Sequence, residues 1–91
     1  MVLKVESHIP MPADCYLVKV GIKQGLDTSG RQVWKHKTEK APFKHWFMTW
    51  DGEKGEIEVF HNKTLEHLRV LKDNGDFKDE AVAGRKLRMK T

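Results

Sequence analysis

Trp50-Asp-Gly-Glu-Lys-Gly-Glu-Ile-Glu-Val-Phe-His61 is the stretch that decides the fold. Its second half alternates: Ile57 and Val59 point one way, and Glu56, Glu58 and Phe60 point the other. Side chains of a strand alternate between two faces, so this is a strand pattern. Its first half, Asp51-Gly-Glu-Lys-Gly55, carries two glycines and reads as a turn. A strand, His45-Trp-Phe-Met-Thr-Trp50, enters that turn, with aromatic residues on both faces.

The pattern extends in both directions. Downstream, Asn62 to Glu66 turns the chain and His67-Leu-Arg-Val-Leu71 forms the next strand, with Leu68 and Val70 on one face. Asp73-Asn-Gly75 is a strong hairpin signal. The residues after it are short, charged and irregular. Upstream, Gln32-Val-Trp-Lys-His36 is a short strand, preceded by a turn at Gly25 and Asp27-Thr-Ser-Gly30. Tyr16-Leu-Val-Lys-Val-Gly-Ile22 is rich in β-branched residues and is expected to be a strand. Residues 1–15 form a loose lead-in, because Pro10 and Pro12 oppose helix there; Met11, Ala13 and Cys15 are placed against the domain. No segment sustains a helical period. The expected fold class is mainly β: one small, strongly twisted antiparallel sheet of about five strands with little or no helix.

The 91 residues fit one domain. No apolar run approaches the roughly 20 residues of a membrane helix, and Met1 to Pro10 lacks the apolar core of a secretory signal. A single cysteine, Cys15, leaves no internal disulfide and no cysteine-rich zinc site, so a cytoplasmic setting without membrane partner is the expectation. The formal net charge is +4 and unevenly spread. Lys35, Lys37 and Lys44 belong to a basic first half; Arg85, Lys86, Arg88 and Lys90 form a tail without acids; the centre between them is acid-rich. Basic surface around an acidic centre suits a polyanion held about a reactive site.

Glu56 and Glu58 share one strand face, about 7 Å apart at two residues' rise, and Asp51 stands at the mouth of the preceding turn. Such a carboxylate can act as a general base. The spacing fits a solvated sheet face equally well, and that is the commoner arrangement. Of the five histidines (His8, His36, His45, His61 and His67), none falls in a metal-ligand motif. His67 lies on the strand expected to pair with Glu56–His61, where a Glu–His couple could form. Most of the aromatic residues must build the core. Trp50 or Phe60 is expected to be exposed enough to stack on a nucleobase.

Four pieces taken together, Thr49-Trp-Asp-Gly-Glu-Lys-Gly-Glu-Ile-Glu-Val-Phe60, Glu66-His67-Leu68, Asp73-Asn-Gly75 and Ala83-Gly-Arg85, resemble the cytotoxic domain of the ribosomal-RNA-cleaving colicins and related contact-dependent toxins. The resemblance covers the C-terminal half; the first half shares only its basic, strand-like character. It implies a twisted antiparallel sheet and RNA cleavage without a cofactor or metal. It implies that Asp51 and Glu58 are the catalytic carboxylates, His67 the strand histidine and Arg85 the C-terminal arginine. Where the family carries another catalytic histidine, three residues after the aspartate, this chain has Lys54. Lysine can neutralise a phosphorane-like charge, but a lysine ammonium is a poor proton shuttle at neutral pH.

The implied chemistry begins with Glu58 taking the 2′-hydroxyl proton, so that the oxygen attacks the adjacent phosphate. His67 or Asp51 protonates the leaving oxygen, and Lys54 and Arg85 neutralise the developing charge. The implied partners are ribosomal RNA and an acidic immunity or antitoxin protein; the basic stretches and aromatics read above make Lys35, Lys37, Lys44, Lys86, Arg88, Trp50 and Phe60 the expected RNA-binding residues. Family members follow delivery domains, for which a chain of this length has no room. The expectation is an excised domain, delivered from another cell, or a free-standing toxin. Two other readings stand beside this one: a non-catalytic RNA- or ribosome-binding module on the same fold, and a protein-interaction domain of adaptor or antitoxin type.

Overall fold

A computed structural model describes residues 9–91. They form one six-stranded antiparallel sheet whose strands lie side by side in chain order. The strands are β1 Gly21–Leu26, β2 Gln32–His36, β3 Trp46–Asp51, β4 Glu56–His61, β5 His67–Lys72 and β6 Phe77–Glu80. A mainly β fold with little helix is therefore the architecture, as the alternating pattern implies. Among the described residues no helix is long and apolar enough to cross a membrane.

Three local expectations are corrected. Tyr16–Val20 is a short helix, α1, and the first strand begins only at Gly21. Tertiary packing overrides the β-branched composition here: one helical turn drives Leu17 beside Cys15 into the core, while the Tyr16 amide donates to the Asp73 carbonyl. Gly25 is not in the turn; it lies within β1 at a register shift, with φ of 143°. The segment after Gly75 holds a sixth strand, Phe77–Glu80, instead of irregular chain. Its four residues are all exposed on the sheet edge, so no hydrophobic alternation marks it.

The lead-in is also tied down where it is described. The Ile9 amide donates to the Gly52 carbonyl, and the Trp50 indole donates to the Ile9 carbonyl at 2.9 Å. Met11 packs on the core and Cys15 is buried, whereas Ala13 is exposed. The part of the lead-in at residues 1–8 lies outside the described residues.

The two sheet faces are built differently. One face carries Trp34, Trp46, Met48, Ile57, Val59 and Leu71, covered by Leu17 and Cys15; this is the main core. The register pairs Thr49 with Glu58 and Asp51 with Glu56 on the opposite face. That second face has a smaller apolar cluster of Val33, Phe60 and Leu87. Leu87 belongs to a C-terminal segment that crosses the face. The Leu87 amide donates to the Leu65 carbonyl beside β5, and at the far end the Thr28 amide donates to the Arg88 carbonyl. Isolated bridges Glu66–Lys86 and Asp27–Met89 mark the two ends of this crossing.

Candidate active site

Between the crossing segment, the sheet and two turns lies a cleft of about 350 Å³. Its floor is polar because the strand alternation that buries Ile57 and Val59 turns Glu56 and Glu58 to this side. The crossing segment and β6 then cover them. Glu58 is 4% exposed and Glu56 is 5% exposed, so the solvated-face reading of this strand is overturned.

Burying a carboxylate is costly unless partners replace its hydration. Glu58 Oε1 receives Arg85 Nη1 at 3.0 Å and lies 2.7 Å from His67 Nε2. The imidazole contact is close but bent away from ideal hydrogen-bond geometry. Glu56 Oε2 is held by Lys78 Nζ of β6 at 2.6 Å, and that contact raises the lysine's pKa. Asp51 closes β3, where its Oδ1 accepts the Glu53 and Lys54 amides at 3.0 and 3.2 Å. Gly55, at φ of 66°, completes this turn, in a region most side chains avoid. The turn presents Lys54 to the cleft.

Asp51, Lys54, Glu58 and Arg85 therefore line one cleft, together with Lys86 and Arg88 of the crossing segment. The β1–β2 turn supplies a wall that the sequence reading missed: Asp27, Thr28, Ser29 and Arg31. The Asp27 Oδ1 there accepts the Ser29 and Arg31 amides and the Ser29 hydroxyl, at 2.7 to 2.9 Å, which fixes the loop. Its only sequence signal is the turn composition of Asp27-Thr-Ser-Gly30. Five basic and three acidic side chains line the cleft, so its balance is positive, as a polyanion site requires.

His67 touches Glu58 but does not line the cleft. Its ring is fully covered and packs edge-to-face with Phe60, the ring centroids 5.3 Å apart. Burial lowers its pKa and Arg85 acts in the same direction, against the pull of Glu58. His61 is no substitute within the cleft, because it pairs with Trp46 and stacks on His45 on the other side.

The expected RNA-binding residues divide. Lys86 and Arg88 are at the cleft. Lys37 and Lys44 lie in the β2–β3 connection, at the end of those strands remote from Arg31 and Asp51. Lys35 sits opposite Phe47, outside the cleft lining. Phe60 is covered, whereas Trp50 is half-buried and lines a separate pocket with Met11, Trp34 and Arg31. Phe60 is 5% exposed and packed with Val33 and Leu87, although its edge reaches the cleft. Trp50 belongs to the opposite face, where it packs on the main core.

Asp51, Glu56 and Glu58 offer oxygens within 4.8 Å of one another, the one grouping of three such donors among the described residues. A cation there would compete with Arg85 and Lys78, which already neutralise two of the three. No family model, curated protein or solved structure matches the chain.

Proposed function

We propose that this chain is a ribonuclease toxin domain that cuts ribosomal RNA by attack of a ribose 2′-hydroxyl on its neighbouring phosphate. One observation carries the reading. Glu58, buried and clamped by Arg85, forms the floor of a basic cleft that also holds Asp51 and Lys54. Buried titratable groups at convergent cationic sites are what acid–base chemistry on a phosphodiester needs.

In this reaction Glu58 accepts the 2′-hydroxyl proton. The O2′–P bond forms, the P–O5′ bond breaks, and a cyclic phosphate remains. Arg85 and Lys54 balance the charge on the phosphorane-like transition state. Because His67 lies outside the cleft, the proton for the departing oxygen comes from a cleft wall group, Asp51, or from water. DNA, lacking the 2′-hydroxyl, is not a substrate. The basic cleft also suits an acidic immunity or antitoxin protein that would cover it. Delivery from another cell follows only if the chain is part of a larger toxin.

A second reading, a non-catalytic RNA- or ribosome-binding module, is favoured by Lys54, since lysine is a poor proton shuttle at neutral pH. Cleavage of ribosomal RNA by the purified protein, lost in Glu58→Gln, separates the two. Tight binding to a protein, with only weak charge attraction to RNA, would favour an adaptor- or antitoxin-type interaction domain instead.

A further inference from the structure

His67 is the one imidazole among the described residues in contact with a cleft carboxylate, yet both its ring nitrogens are turned inward. The Val82 amide N–H donates to Nδ1 at 2.8 Å. A backbone amide can only donate, so Nδ1 carries no proton, and the proton of the neutral ring is on Nε2. Nε2 lies 2.7 Å from Glu58 Oε1, the same oxygen that receives Arg85 Nη1. Oε2 has no hydrogen-bond partner among the described residues, while Glu58 lines the cleft.

We propose that His67 is a positioning residue, a neutral Nε2–H imidazole that with Arg85 pins Glu58 Oε1 and leaves Oε2 as the oxygen that takes the substrate proton. This rests on the nuclease reading above. The charged groups about the ring are Glu58 and Glu56 of β4 and Arg85 of the crossing segment. A second ring proton would have to sit on Nδ1, against the Val82 N–H and inside a closed site. The lowered pKa of His67 agrees with that cost. Loss of the Nε2 proton would leave an imidazolate, which neutral pH does not supply. His67 therefore neither gives nor takes a proton in the cycle; it fixes where the proton goes.

Glutamine tests this directly. Its carboxamide can donate to Oε1 and accept from the Val82 amide, yet cannot carry a proton. His67→Gln is expected to retain kcat within about tenfold and to keep the wild-type pH–rate profile. His67→Ala, judged folded by circular dichroism, is expected to lose about 100-fold in kcat with little change in KM, as a misplaced base does. His67→Gln as inactive as Glu58→Gln, or lacking one limb of the pH profile, overturns the proposal. So does a fully active His67→Ala.

Imidazole ¹⁵N shifts of the wild type give a readout that needs no activity. The expected state at neutral pH is the Nε2–H tautomer; imidazolium or the Nδ1–H tautomer overturns the assignment. The tautomer as expected with no RNA cleavage refutes the nuclease reading and removes the catalytic role with it. Cleavage with His67 found as imidazolium refutes the positioning role alone.

Discussion

Leu87→Ala tests whether the C-terminal crossing segment is a packed wall of the cleft. Leu87 is buried with Val33 and Phe60, and Phe47, Leu65 and Met89 pack around them. Truncation to alanine removes three carbons, which at about 0.8 kcal/mol each come to about 2.4 kcal/mol of lost transfer free energy. A cavity term adds to this, so the expected loss is about 2.5–4 kcal/mol. A domain of this size has roughly 5–14 kcal/mol in total, so the variant remains mostly folded at room temperature. Urea unfolding followed by tryptophan fluorescence should show a lower midpoint at unchanged slope. Faster amide exchange at Thr28 and Lys90, whose N–H groups bond to Arg88 and Leu26 across the crossing, should accompany it. A stability change below about 1 kcal/mol, with those amides still protected, would refute the packing account.

Gly75→Ala places a Cβ 2.4 Å from the Tyr16 ring, at φ of 95°; a loss of about 2–4 kcal/mol is expected from thermal or urea melting. Stability also depends on pH through His67 and His36, both of whose pKa values burial lowers. The unfolded chain binds protons below about pH 6.5 that the folded chain refuses, so stability is full above that pH and falls as pH drops toward the folded values. Urea titrations at about pH 7.5 and 5.5 should show this, and His67→Gln should flatten part of the slope. Arg31→Gln and Lys86→Gln should each weaken RNA binding and lower the salt slope by about one, read by fluorescence anisotropy, whereas Lys37→Gln and Lys44→Gln should not.

What the sequence could carry follows from the physics of each element. The alternation of Glu56 to His61 and the Asp73-Asn-Gly75 turn depend on local geometry, and both gave strands where strands are found. Helix α1 was hidden because its composition is that of a strand; only the burial of Leu17 and Cys15 decides it. β6 was hidden because an exposed edge strand needs no apolar face. Spacing placed Glu56 and Glu58 on one face but could not say whether that face was wet. Its cover comes from Arg85, Leu87 and Lys78, distant in the chain. For the same reason the Glu56–Lys78 pair and the Arg31 wall went unseen, and the spacing could not say that Lys37 and Lys44 lie at the end of the sheet remote from the cleft.

The most direct test of the central claim is incubation of the protein with intact ribosomes and with bulk RNA, with and without chelator, beside Glu58→Gln. The account requires one discrete fragment ending in a cyclic phosphate, unaffected by chelator and reduced about 10²–10⁴-fold in the variant. No fragment from either substrate between about pH 5 and 9, with RNA still bound in a salt-sensitive manner, would contradict it and leave a binding module.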